Sequence, residues 1–151
     1  VWCWPNPGST VSITGAGQKH SATSDSGGRW SLDISAFKSG APHAMQVSAG
    51  STVRIQDILV GEVWLGSGQS NMAMKVNGCD NAKEGIANAS FPQIRMFTFA
   101  RTPNKTAQRN CKGSWVVCSP NTVKAFSATA YFFGRRLHKE LSVPVGLLLA
   151  E

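Results

Sequence analysis

The residue of this chain best placed to do chemistry is a serine in a glycine-rich turn. The run Asp57-Ile58-Leu59-Val60-Gly61-Glu62-Val63-Trp64-Leu65 is largely apolar and gives way abruptly to Gly66-Ser67-Gly68-Gln69-Ser70-Asn71-Met72. Ile58 to Leu65 reads as a strand covered on both faces. It breaks into a tight loop at its carboxyl end, the edge of an open α/β sheet where ligands bind. A helix beginning at Ser70 would set backbone N–H groups beside the hydroxyl. A serine hydroxyl attacks an acyl carbon only when a base removes its proton and donors hold the tetrahedral oxyanion. Gly68, Gln69 and Asn71 would support the loop, the last two by hydrogen bonds. Taken alone, a serine in such a turn is more often a helix cap than a nucleophile.

Competing motifs fail on single residues. Gly66-x-Gly68 after a strand hints at a dinucleotide loop, but Asn71 stands where the third glycine belongs. A phosphate-binding P-loop lacks its Gly-Lys-Ser/Thr, and the G-x-S-x-G elbow fails at Met72. Met72 and Met74 read as core packing beneath the loop. Among the three histidines, His20 and His43 lie in a strand-rich region where a surface or strand role is the safer reading, and His138 reads as a helix-surface residue. No cysteine pair has C-x-x-C spacing, so neither a zinc nor a thioredoxin-like reading is favoured. Cys111 and Cys118 flank Trp115 and fit either a local disulfide of an exported protein or buried free thiols.

The formal net charge is +7. Arg95, Arg101, Lys105, Arg109, Lys112, Lys124, Arg135, Arg136 and Lys139 fall in a stretch whose single acid is Glu140. Such a field could favour acidic partners, but the residues are dispersed and read as a solvated face. Zinc-finger spacing and RNP-like aromatics are absent, so no nucleic-acid partner is expected. No apolar run is long enough to span a bilayer, and no charged-then-apolar leader is present. The chain starts at Val1 rather than Met, which fits either a removed leader or a missing coding start, and Val1-Trp2-Cys3-Trp4, which looks like mid-strand, favours the second. Asn88-Ala89-Ser90 and Asn104-Lys105-Thr106 are glycosylation sequons if the source is a secreting eukaryote.

Elements that could position Ser70 follow from periodicity. Residues 10–14, 18–24, 29–34, 43–48 and 52–55 read as short strands with turn chemistry at Asp25-Ser26-Gly27-Gly28 and a break at Ser39-Gly40-Ala41-Pro42. Their close spacing predicts a β-sandwich of immunoglobulin type, with too few residues for a whole one. After residue 58 the pattern changes. A helix is predicted over 81–89, a strand over 93–99 and a loop over 101–114. An amphipathic helix from Phe126 to Leu141, with Ser127 as N-cap, precedes a strand over 143–149. Strands alternating with helices predict a parallel sheet with helices on its faces.

The run Gly61-Glu62-Val63-Trp64-Leu65 followed by Ser67-Gly68-Gln69-Ser70-Asn71-Met72 closely resembles the first catalytic block of the sialate O-acetylesterases, a branch of the SGNH hydrolases. Gly66 stands where that family usually has cysteine. Phe91-Pro92-Gln93-Ile94-Arg95, Trp115 with Cys118-Ser119-Pro120, Phe126-Ser127-Ala128, Tyr131-Phe132-Phe133-Gly134-Arg135 and Val143-Pro144-Val145-Gly146-Leu147 match the family in order and spacing. Val1-Trp2-Cys3-Trp4-Pro5-Asn6-Pro7-Gly8 and Gly28-Arg29-Trp30-Ser31-Leu32 resemble strands of the small β-sandwich that often precedes its catalytic domain. The implied architecture is α/β. Residues 58–151 would be the first half of an SGNH hydrolase domain (flavodoxin-like, three-layer), and residues 1–57 a partial immunoglobulin-like β-sandwich.

The resemblance implies an amino-terminal piece of a serine carboxylic-ester hydrolase. Ser70 is its nucleophile and, through its own N–H, one oxyanion donor; no metal or organic cofactor is implied. The substrate is an O-acetylated sugar or glycan, with acetylated plant polysaccharide such as acetylxylan as an alternative to sialic acid. A secreted, periplasmic or lysosomal location is implied as well. The family's remaining oxyanion donors and its Asp-x-x-His base find no match before Glu151, so the acid/base partners are absent from these 151 residues. The non-enzymatic alternative is a carbohydrate-associated module or a degenerate paralogue. The 151-residue chain alone is expected to turn over p-nitrophenyl acetate negligibly. Robust turnover abolished by Ser70→Ala would reveal a base within it.

Overall fold

The structure, a computed structural model, describes residues 2–3, 5–40, 42–100, 104–106, 108 and 110–150. Val1, Trp4, Arg101, Arg109 and Glu151, which figure in the readings above, lie outside the described residues. The chain divides into two compact units, Val1–Val60 and Gly61–Glu151.

Alternation of apolar and polar residues organises the first unit. Its strands are β1 (Trp2–Cys3), β2 (Thr10–Gly15), β3 (Gln18–Thr23), β4 (Trp30–Ser31), β5 (His43–Ala49) and β6 (Ser51–Ile58). Val11 and Ile13, two residues apart on β2, point to one face and are buried with Trp30 and Met45. Ala16 and Gly17 both adopt positive φ, the two-residue turn that joins β2 tightly to β3. At the next turn Asp25 Oδ1 accepts from the N–H groups of Gly27 and Arg29 at 2.9 and 2.8 Å. Those bonds, led by the one from Arg29, hold the Asp25 carboxyl below its ordinary value. The sheet order is β3-β2-β5-β6, antiparallel throughout, while β1 and β4 form a separate two-residue ladder. The predicted strand over 29–34 is thus reduced to Trp30–Ser31. The described residues of this unit thus form one four-stranded antiparallel sheet and a two-stranded ladder, with Trp30 of the ladder buried among Val11, Ile13 and Met45 of the larger sheet.

The second unit is mixed α/β. It runs β7 (Glu62–Ser67), α1 (Ser70–Ala73), a 3-10 turn (Val76–Gly78), α2 (Ala82–Ala87), β8 (Phe91–Thr98), β9 (Trp115–Cys118), α3 (Pro120–Val123), α4 (Ala128–Leu141) and β10 (Val145–Ala150). The sheet order is β7-β10-β8-β9. Strands β7, β10 and β8 are parallel, as the alternation of elements predicts, and β9 closes the sheet antiparallel to β8. Sequence reading missed β9 because its four residues follow a polar loop. It also missed α3, although Ser119-Pro120 is a helix-start signal: Ser119 and Thr122 form a reciprocal capping box with Pro120 in the first turn.

Helix α4 packs its small residues inward. Ala128, Ala130, Tyr131 and Gly134 are buried. A Cβ on Gly134 would come within 2.7 Å of Leu147 Cδ1, so glycine there lets the helix sit close to β10. At its far end Ser142 adopts the left-handed conformation and its N–H bonds His138 O at 3.0 Å.

Register assigns the two faces of the sheet. Val145, Leu147 and Leu149 share a face with Ile94 and Met96, and all five are buried in the main core with Val123, Phe126 and Tyr131. The opposite face carries Val63, Leu65, Trp115 and Val117, exposed by 63, 63, 50 and 40%. The expectation of a strand covered on both faces is therefore corrected for β7. Hydrogen-bonded to β10 alone, it stands at the end of the sheet, and its outward residues lie uncovered among the described ones. The helix-covered core likewise occupies one face rather than both. Leu147→Ala should cost about 2–5 kcal/mol of stability, whereas Leu65→Ala should change it by no more than about 0.5 kcal/mol. Urea midpoints of the two variants compare them directly, and equal losses would put Leu65 inside a core.

Candidate active site

Ser70 stands at the carboxyl end of β7 as the first residue of α1, a helix of a single turn. The strand delivers it there because the apolar run ends at Leu65 and Gly66-Ser67-Gly68 follows. A Cβ on Gly68 would lie 3.2 Å from Met72 Cβ, so glycine allows the loop to close onto the helix. Gln69 is the N-cap and makes no side-chain capping bond; its carbonyl accepts from Ala73 N–H at 2.9 Å. Ser70 is therefore not itself the cap. Its residue is exposed, and its hydroxyl has no hydrogen-bond partner among the described residues. The N–H groups of Ser70, Asn71 and Met72 precede the first intrahelical bond and have no acceptor within the helix.

The segment after Ser70 is fastened to the residues that open α4. Thr129 Oγ1 donates to Asn71 O at 2.9 Å, and Ala128 N–H donates to Met74 O at 2.8 Å. Ser127 Oγ, fully buried, donates to Met72 Sδ at 3.4 Å and accepts from Ala130 N–H at 3.2 Å. Lys75 and Ser127 form an isolated antiparallel bridge, and Val76 N–H bonds Phe126 O at 3.1 Å. Met72 packs against the core as the sequence predicts. Met74 does not: it is exposed, because its backbone rather than its side chain turns toward α4. A Cβ on Gly66 would lie 3.3 Å from Met72 Sδ and 3.6 Å from Ala130 Cβ, so any side chain there shares space with that thioether. Asn71 acts in this network through its main-chain carbonyl. Thr129 was not singled out by sequence, and no local pattern marks it.

The histidines all have structural partners. His20 Nε2 lies 3.1 Å from Gln18 Oε1, and His43 Nε2 lies 2.8 Å from Lys38 O. His138 is half-buried rather than a free surface residue. Its Nδ1 sits 2.7 Å from Val143 O, and since a carbonyl only accepts, Nδ1 carries the proton. The ring also meets Phe91 edge-on at 6.1 Å, which ties the end of α4 to β8 and to the turn before β10.

Cys79, Cys111 and Cys118 are free thiols, so the disulfide reading of Cys111 with Cys118 is excluded: Cys118 is buried and Cys111 exposed. Burial pushes the Cys118 thiol up to about 11 and raises the Tyr131 phenol as well. Tyr131 OH is buried without a hydrogen-bond partner, while the Arg135 guanidinium lies over the rings of Tyr131 and Phe132 at 5.4 and 4.7 Å. Arg136 pairs with Glu140 at 3.0 Å on the exposed side of the helix. Among the described residues no cluster of three or more histidine, cysteine or acidic side chains could hold a metal ion. No helix among them is long and apolar enough to cross a membrane.

No protein-family profile matches the chain. Sialate O-acetylesterases do. The Mus musculus protein is 29% identical over 168 residues, covering 98% of this chain and 31% of that protein. The Homo sapiens protein is 28% identical over 171 residues, covering 100% of this chain and 33% of that protein. The chain thus spans about a third of the length of the relatives it matches. Among solved structures, a carbohydrate acetylesterase from Xanthomonas citri superposes with a TM-score of 0.94 at 28% identity, over 99% of this chain and 35% of that one.

Alkylation of the native protein at pH 8 with N-ethylmaleimide should label Cys111 and spare Cys118 until the chain is unfolded. Comparable labelling of both, or a cross-linked peptide, would contradict the assignment. The raised Cys118 value also sets a pH window. Between about 9 and about 11 the unfolded thiol loses its proton while the folded one keeps it, so stability present below pH 9 declines through that range. Cys118→Ala should shallow the decline in denaturant titrations.

Proposed function

We propose that this chain, similar along its whole length to sialate O-acetylesterases and to a carbohydrate acetylesterase, carries the nucleophile of a carbohydrate O-acetylesterase and that Ser70 is that nucleophile. The observation that carries the reading is the position of Ser70: exposed, at the carboxyl end of a parallel strand, first in its helix, with unpaired N–H groups beside its hydroxyl. Carboxyl ends of parallel strands are where α/β folds assemble their sites.

The chemistry is acyl transfer. Ser70 Oγ attacks the acetyl carbonyl carbon of a sugar ester while a base takes its proton, and the Ser70 N–H donates to the oxyanion that forms. Collapse expels the sugar oxygen, which leaves with a proton as the free hydroxyl, and the acetyl group remains on Ser70. Water then attacks that ester, releasing acetate and restoring the serine. The base and the further oxyanion donors are assigned to no residue of these 151. The substrate class is an O-acetylated sugar, a reading supported by its similarity to a sialate O-acetylesterase and a carbohydrate acetylesterase. A fold of the SGNH type and a location outside the cytoplasm belong to the same reading.

The test is made on the complete gene product. Ser70→Ala should lower kcat for an acetylated sugar by about 10⁴-fold or more. Rapid quenching of the wild type should leave an acetyl adduct on the peptide containing Ser70. An adduct on another residue, or undiminished turnover by Ser70→Ala, would end the proposal.

A further inference from the structure

We propose that Thr129 is a positioning residue for Ser70, and that its hydroxyl tethers the helix carrying the nucleophile to the start of α4. The inference rests on the reading of Ser70 given above, but the tether is a separate physical claim.

A helix of one turn does not stand by itself, because a single turn fixes several dihedrals for very few hydrogen bonds. The internal bonds that hold α1 run from Ala73 N–H to Gln69 O and from Met74 N–H to Ser70 O, both within 3.0 Å. The next carbonyl, Asn71 O, would accept the following amide if the helix continued. It ends instead at Ala73, with Met74 extended. Thr129 Oγ1 takes that place at 2.9 Å, so a side chain 58 residues away completes the turn. The bonded carbonyl belongs to the residue immediately after Ser70. Its orientation is linked through one residue to the peptide plane that carries the serine's neighbouring N–H.

Other contacts along this seam also serve the fold. Ala128 donates through its backbone, which no side-chain change removes. Ser127 caps α4 through Ala130 N–H as well as reaching Met72, so its loss would damage the helix itself. Met72 belongs to the packed core. Thr129 differs. Its residue is exposed, it stands second in α4, and α4 takes its cap bond from Ser127 rather than from this hydroxyl. The Thr129 hydroxyl is thus devoted to α1, and α4 gains nothing from it. Small displacements of a reacting atom cost rate steeply, whereas the loss of one exposed hydrogen bond costs the fold little.

The experiment compares Thr129→Val, which keeps the shape and removes the donor, with Thr129→Ser, which keeps the donor. In the complete gene product Thr129→Val should lower kcat about five- to tenfold with KM within about twofold, and Thr129→Ser should restore most of the loss. Hydrogen exchange supplies a second readout that requires no turnover. The Met74 amide, bonded to Ser70 O, should exchange several-fold faster in Thr129→Val, while the amide of Leu147 in β10 is unchanged. Unaltered Met74 exchange, or wild-type kcat in Thr129→Val, overturns the tether. So does a Thr129→Ser variant no better than Thr129→Val. Full turnover by Ser70→Ala, or an inactive wild type, overturns the nucleophile reading instead and leaves the exchange result to judge the tether.

Discussion

Strand β10 lies between β7 and β8, paired in parallel register with both, and the placement of Ser70 depends on it. Among the described residues strand β7 has no other neighbour in the sheet: Glu62 pairs with Val145 at one end and Ser67 with Ala150 at the other. Parallel strands cannot be joined by a tight turn. The strand that ends in the candidate nucleophile therefore acquires its ladder only when chain some eighty residues later has crossed over to meet it. The same strand supplies Leu147 and Leu149 to the core, and Gly134 lets α4 approach close enough to cover them. Backbone pairing and apolar burial are thus made by one segment, and both converge on the edge where Ser70 stands.

The second unit places its apolar surface unevenly. One face of the sheet is filled by Ile94, Met96, Val145, Leu147 and Leu149 under α4, while Val63, Leu65, Trp115 and Val117 look outward. Phe97 and Trp115 meet edge-on at 5.4 Å, giving that outer face an aromatic character. The basic excess is engaged piecemeal rather than gathered into a patch. Arg135 stacks on aromatic rings, Lys139 lies over Phe91, and Arg136 pairs with Glu140. Such contacts suit long basic side chains whose stems cover apolar surface while their heads reach water.

Much of the second unit was legible because its periodicities are strong. Phe126, Ala130, Phe133, Leu137 and Leu141 recur at helical spacing, and Ser127 does cap the helix they define, through Ala130 N–H. The alternation of Gln93 to Phe99 and the apolar run before Ala150 both became strands. What failed was short or depended on neighbours. Strand β9 is four residues and exists because β8 offers it an edge. The apolar run ending at Leu65 reads as buried on both faces, since composition cannot tell an end strand from a central one. Arg29 to Ile34 alternates well yet pairs only at Trp30–Ser31. His138 was read as a surface residue because the carbonyl it bonds, Val143 O, is brought near by the left-handed turn at Ser142.

By itself the sequence determined what local chemistry can dictate: a strand that must break at Gly66-Ser67-Gly68, a serine free to open the next helix, and an amphipathic helix capped at Ser127. Each depends on the conformational freedom of glycine, on capping, or on spacing along a few turns, and these are written in adjacent residues. Only the tertiary structure decided which strand pairs with β7, which face is covered, and what holds the single turn at Ser70 in place. Those outcomes rest on Val145–Ala150 and on Thr129, residues remote in sequence, and nothing in a local pattern encodes a partner so far along the chain. The physical reason is that a one-turn helix and an end strand cannot satisfy their own backbone groups, so their geometry is set by the distant residues that do.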